Sequence, residues 1–224
     1  MPLAITSSHR GAPRLRTRLI AGAVGALALA CLVAGPAAAA PAPSRIGGDH
    51  HSPAVVLLSN AALAAHDTFS VTGSPAAFVD YVAKRGATSD AVAAEMGLDP
   101  TALRNAWSRA DLQHQEALLA ALTQLGVAYR SSTSEPGVGF DCSGLTAFAW
   151  GRAGLPLARQ SGSQINAAAR RDPASAVAGD LVQYPGHVMM YLGIGEAIVH
   201  ASNPSTDVEL SFTGRSVRFG DPTG

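Results

Sequence analysis

Cys142 and two histidines, His187 and His200, are the residues of this chain whose types and setting point to covalent chemistry. Cys142 follows the turn around Gly139-Phe140-Asp141. It precedes an apolar run, Leu145 to Trp150, that stops at Gly154. That run predicts a helix with Asp141 or Ser143 at its cap and with Leu145, Phe148 and Ala149 on one face. A thiol in the first turn of a helix meets the positive end of the helix dipole, which favours the nucleophilic thiolate. A thiol nucleophile needs a base that takes its proton and returns it to the leaving group. His187 opens one predicted strand and His200 closes the next, so an antiparallel hairpin sets both rings at one end of a sheet. One ring then serves as base, and the other fixes its tautomer by a hydrogen bond. Two other readings compete. A lone cysteine is often a buried structural residue. Cys142, His187 and His200 would also suit a metal, but that needs tetrahedral geometry and leaves no thiol free.

The elements that must position these groups fall into two blocks. From Ser74 the pattern is helical, with Ser74-Pro75 as cap and first helical residue and with Phe78, Tyr81 and Val82 on one face. Ser89 predicts the cap of a separate helix, Asp90 to Met96, stopped by Gly97. Asp99-Pro100 starts a third helix, which carries Leu103 and Trp107. The stretch from Ser89 to Ala110 has a helix-turn-helix flavour, and plain helical packing accounts for it. Asp111 caps a further helix expected to run to Leu125, with Leu118, Leu122 and Leu125 buried. Residues 54–65 suit either helix or strand. After Gly179 the period changes to two. Asp180 to Tyr184, His187 to Leu192, Ala197 to His200, Val208 to Leu210 and Val217 to Phe219 read as strands joined by glycine turns. Helices followed by strands predict an α+β chain with an antiparallel sheet. The division expected is 1–40 signal, 41–73 linker or unassigned, 74–110 helical N-terminal region and 111–224 catalytic domain.

Residues 1–40 hold Arg10, Arg14, Arg16 and Arg18 and no acid, then an apolar run from Leu19 to Gly35, then small residues from Ala37 to Ala40. This is the pattern of a secretory signal cleaved after Ala39 or Ala40, with no lasting membrane insertion. Cys31 within it offers a weaker reading, lipid attachment. The whole chain has 16 Lys+Arg and 16 Asp+Glu, so removing four arginines leaves 12 against 16, about −4. No basic excess remains to drive nucleic-acid binding. Cys31 leaves with the signal, and Cys142 becomes the sole thiol of an exported protein, a setting in which retention points to reactivity. His50, His51 and His66 lack companions at metal-site spacing and are expected in linker and surface positions.

Phe140-Asp141-Cys142-Ser143-Gly144-Leu145, Gly179-Asp180-Leu181-Val182, His187-Val188 with Tyr191-Leu192-Gly193, and His200-Ala201 occur in that order. The ordered set resembles the NlpC/P60 cysteine peptidases over about Asp111 to Phe219. The resemblance implies a circularly permuted papain-like fold and cleavage of peptidoglycan stem peptides, commonly between D-glutamate and a diamino acid. It implies Cys142 as nucleophile, His187 as base and His200 as the orienting third residue. Tyr129 matches a tyrosine near the family's oxyanion site. Asp141 and Ser143 would line the substrate groove, and Arg159, with Ser161 and Gln164, echoes a further family stretch. Arg130-Ser131-Ser132 departs from the family's Trp-Gly-Gly-like segment, Met189 replaces a small residue, and the His187–His200 spacing is one residue longer. The expectation is a secreted, wall-associated, monomeric endopeptidase with no cofactor and no metal. An inactive wall-binding protein, or an amidase or acyltransferase on the same fold, is the alternative.

Overall fold

The computed structural model describes residues 52–224. The expected signal sequence, Cys31, His50 and His51 lie outside the described residues. Three helices begin with the same local chemistry, a capping side chain followed by proline. These are α1 (Pro53–Thr72, cap Ser52), α2 (Pro75–Met96, cap Ser74) and α3 (Pro100–Arg109, cap Asp99). In each, the cap oxygen accepts a backbone N–H of the first turn, and proline gives up an N–H that has no helical partner there. The stretch that suited helix or strand is therefore the body of α1. The cap predicted at Ser89 does not form, because α2 runs unbroken through it. Ser89 Oγ instead donates to Gly86 O at 2.8 Å, within the helix. α4 (Leu112–Leu122) is capped by Asp111, whose carboxylate accepts His114 N at 2.9 Å. It ends three residues short of the expected Leu125, in the turn that leads to Gly126.

A short hairpin, β1 (Ser134–Glu135) and β2 (Gly139–Phe140), leads into α5 (Cys142–Arg152). α6 (Ser161–Ala167) and β3 (Ala169–Arg171) follow. Then come β4 (Leu181–Tyr184), β5 (His187–Tyr191), β6 (Ala197–Ala201), β7 (Val208–Phe212) and β8 (Arg218–Asp221). The six-stranded sheet has the order β3-β8-β4-β5-β6-β7, and each neighbouring pair is antiparallel. The fold is α+β, with helices packed on an antiparallel sheet.

Alternation along the strands sets two faces. Leu181, Val188, Met190, Ala197, Val199, Val208 and Leu210 join the helices in one core that also takes in Val55, Tyr81, Leu103 and Trp107. Val182, Met189, Tyr191 and Ile198 form a smaller cluster on the other face. The N-terminal helices are thus part of the main core. Polar ties reinforce this: Trp107 Nε1 donates to Leu192 O at 2.9 Å, Tyr81 Oη donates to Gln115 Oε1 at 2.7 Å, and Arg152 pairs with Asp67 of α1 and Glu116 of α4.

Candidate active site

Cys142 is the first residue of α5 and is half-buried and unpaired. The turn before it is held by Asp141. One carboxylate oxygen accepts Gly144 N at 2.7 Å, capping the helix, and the other accepts Ser132 N at 2.7 Å. Arg159 grips both oxygens, at 2.9 and 2.7 Å, and also donates to Ser143 Oγ at 3.0 Å. Burial alone would raise the Asp141 pKa. The Arg159 hydrogen bonds and the Gly144 and Ser132 amides outweigh it and hold the carboxyl below its ordinary value. Gly144 is required by packing, since a Cβ there would meet Thr133 O at 2.1 Å. Three of the residues expected at the groove, Asp141, Ser143 and Arg159, thus bind one another beside the thiol.

His187 and His200 meet as the hairpin predicts. β5 and β6 pair Met190 with Val199 and Tyr191 with Ile198, so the histidines are diagonal neighbours at the end of the two strands. His187 Nε2 lies 2.9 Å from His200 Nδ1, which places one proton between the two nitrogens. Both rings are buried, at 6 % and 9 % exposure. His187 also faces its cross-strand partner Tyr184, with ring centroids 5.2 Å apart, and the Arg215 guanidinium stacks on the far ring at 4.4 Å. Burial, then His200, then the Arg215 charge push His187 down to about 4, so its imidazole is neutral at neutral pH. A neutral ring is the form a general base requires. Sequence reasoning missed Arg215, which lies in a turn with no motif to mark it.

Backbone pairing ties the segment before the cysteine to β7. Residues 126–129 add to β7: Gly126 N donates to Val208 O at 2.9 Å, Val208 N to Val127 O at 2.8 Å and Tyr129 N to Thr206 O at 3.3 Å. Phe140 N then donates to Ala128 O at 3.1 Å, and Cys142 follows two residues later. β7 in turn pairs Val208 with Ala201, beside His200, and α5 packs across β5 and β6. Tyr129 is half-buried near the thiol, and burial, then the Asp141 and Cys142 charges, raise its hydroxyl pKa. No hydrogen bond joins Cys142 Sγ to either histidine; catalytic hydrogen bonds of this kind commonly tighten only when substrate binds.

Two further histidines carry carboxylate partners that the sequence did not reveal. His114 is 1 % exposed. Its Nδ1 lies 2.9 Å from Asp111, and its Nε2 lies 3.3 Å from Asp180 and 3.2 Å from Asp221. Gly179 makes this possible: its φ is +99°, and a Cβ would meet His114 O at 2.7 Å. Burial opposes charge on His114. The hydrogen bonds from Asp180 and Asp111 and their negative charges overcome it and raise the pKa. The same carboxylates bind Val177 N, Thr223 and Arg171, so protein groups already occupy their oxygens. His66, expected at the surface, is 5 % exposed. It packs edge-on against Tyr81 at 5.2 Å, with Nδ1 3.9 Å from Glu116. The expectation failed because α1 was not assigned as a helix and its buried face was therefore unknown.

Comparison with known proteins bears on this geometry. Residues 126–216 match the model of the NlpC/P60 family. The peptidoglycan endopeptidase RipB of Mycobacterium tuberculosis is 45 % identical over 78 residues, 33 % of this chain and 32 % of its own length. The peptidoglycan endopeptidase RipA of Mycolicibacterium smegmatis is 32 % identical over 160 residues, 57 % of this chain and 32 % of its own. The chain thus spans about a third of the length of these curated relatives. The solved structure of the peptidoglycan hydrolase RipB from Mycobacterium tuberculosis aligns over 81 % of this chain and 95 % of that one, at 25 % identity and a TM-score of 0.43. The motifs that frame Cys142, His187 and His200 fall inside the span, residues 126–216, that matches the NlpC/P60 family model.

Proposed function

We propose that this chain is an exported cysteine endopeptidase that hydrolyses peptide bonds in peptidoglycan stem peptides, at the bond between D-glutamate and a diamino acid. The observation that carries the reading is the His187–His200 contact of 2.9 Å, taken with the free thiol of Cys142 at the start of α5. The named activity of the RipB and RipA relatives gives the substrate class. Cys142 Sγ attacks the amide carbon while a His187 ring nitrogen takes the thiol proton. The tetrahedral intermediate collapses, the C–N bond breaks, and His187 delivers that proton to the departing amine. Water, with His187 again as base, then cleaves the thioester and frees the carboxylate and the thiol. His200 holds the His187 ring through its other nitrogen. The Asp141–Arg159 pair holds the turn that presents the thiol, and Tyr129 borders the reacting carbonyl.

The test is mass spectrometry of fragments released from purified peptidoglycan. The reading expects stem peptides cut on the D-glutamyl side, none from Cys142→Ala, loss of activity on thiol alkylation and no effect of EDTA. Sugar–peptide separation would instead identify an amidase, and binding without release would identify a wall-binding protein. Loss with EDTA and recovery with zinc would point to metal chemistry.

A further inference from the structure

The contact between His187 and His200 leaves open which nitrogen carries the shared proton, and the neighbouring strand offers the means to decide it. β6 and β7 place His200 directly opposite Glu209. Glu209 Oε1 stands 3.4 Å from His200 Nε2, a buried nitrogen that makes no hydrogen bond among the described residues, and the carboxylate is the group within reach of it. Alternation along β7 puts Val208 and Leu210 into the main core, so Glu209 points to the histidine face. Its side chain is 21 % exposed, and among the described residues no arginine or lysine pairs with it. A carboxylate accepts hydrogen bonds and donates none.

We propose that Glu209 is a positioning residue that sets the tautomers of both histidines, which rests on the reading of Cys142 and His187 above. Glu209 accepts the proton of His200 Nε2. His200 Nδ1 is then bare and accepts the proton of His187 Nε2. His187 Nδ1 is therefore bare as well, and it is the nitrogen left to take the Cys142 proton. Without the carboxylate, His200 is free to carry its proton on Nδ1 instead. It then donates to His187 Nε2, which moves the His187 proton to Nδ1 and blocks the base. A partner that fixes a histidine tautomer from behind is worth about 10–100-fold in activity.

The experiment compares Glu209→Ala, Glu209→Gln and His187→Ala with wild type on a stem-peptide substrate, together with 15N spectra of His200. Expected is a fall in kcat of about 10–100-fold for Glu209→Ala with KM unchanged. Glu209→Gln should fall between it and wild type, because its amide oxygen still accepts. The His200 spectrum should move from the Nε2–H form toward the Nδ1–H form in Glu209→Ala. A kcat for Glu209→Ala within twofold of wild type, or a fall with the His200 tautomer unchanged, overturns the inference. Full activity in His187→Ala would instead overturn the reading of the base itself, and the tautomer measurement needs no activity.

Discussion

His114 and His187 are both buried, and each hands a ring nitrogen to a neighbouring side chain, yet their surroundings push their pKa values in opposite directions. Carboxylates of Asp111, Asp180 and Asp221 face His114 from α4, from the turn before β4 and from β8. His187 meets a second imidazole and the Tyr184 ring, over which the Arg215 guanidinium sits and from which its charge acts on His187. Burial disfavours charge in both places. Asp180 and Asp111 overcome it at His114, and His200 with the Arg215 charge reinforces it at His187. A fully hydrogen-bonded imidazole held by carboxylates is a clamp that fixes a helix to a sheet. A neutral imidazole with a single polar tether has a nitrogen to spare for proton transfer. The type of residue does not separate the two centres here; the sign of the charge around each does.

The largest expected effect tests the reactive centre. Cys142→Ala should abolish wall hydrolysis, and His187→Ala should cut kcat by about 10²–10⁴-fold, each with the fold retained by circular dichroism. Next is the clamp. His114→Ala leaves the buried carboxylates of Asp180 and Asp221 without their imidazole partner and should cost about 3–5 kcal/mol of unfolding free energy in urea, with kcat close to wild type below the melting temperature. If His114→Ala abolished activity at full stability, or His187→Ala unfolded the protein, the comparison would be reversed. A smaller effect separates the second ring from the first: both His200→Ala and His200→Gln should be slow, with Gln the faster because its amide still binds the His187 ring.

Linkage gives the pH dependence of stability opposite signs at the two centres. His114 binds its proton more tightly folded than unfolded. Its contribution is complete below the unfolded value of 6.5 and is lost as pH rises through the raised folded value. His187 binds its proton more weakly folded, so its contribution is complete above 6.5 and is lost as pH falls toward about 4. Denaturant midpoints measured from pH 4 to pH 9 should show the alkaline loss vanish in His114→Ala and the acid loss shrink in His187→Ala. The smallest effect belongs to Arg152, which joins α1 and α4 to α5 from a side chain 36 % exposed. Arg152→Ala should cost less than about 1 kcal/mol per ion pair.

Much of the site was legible because local chemistry marks it. Cap-and-proline pairs at Ser74-Pro75 and Asp99-Pro100 and the cap at Asp111 start helices where expected. The Pro185-Gly186 turn fixes the register of the strand that begins with His187. What escaped depends on tertiary partners. Ser89 resembled a cap, but its hydroxyl turns back to Gly86 O once packing carries α2 through. β3 is three residues long and exists through its pairing with β8. His114 draws its partners from 66 and 107 positions away along the chain, a spacing no local pattern encodes. Glu209 reads as one solvent-facing residue of a strand until His200 is placed opposite.

The claim that opposite surroundings make one histidine a clamp and the other a base is tested most directly by a residue-assigned 15N titration of the histidine side chains from pH 3.5 to 9. The account predicts that His187 stays neutral until well below 6.5, toward about 4, while His114 keeps its proton above 6.5. Titration of the two in the reverse order, or of both together near 6.5, would contradict it.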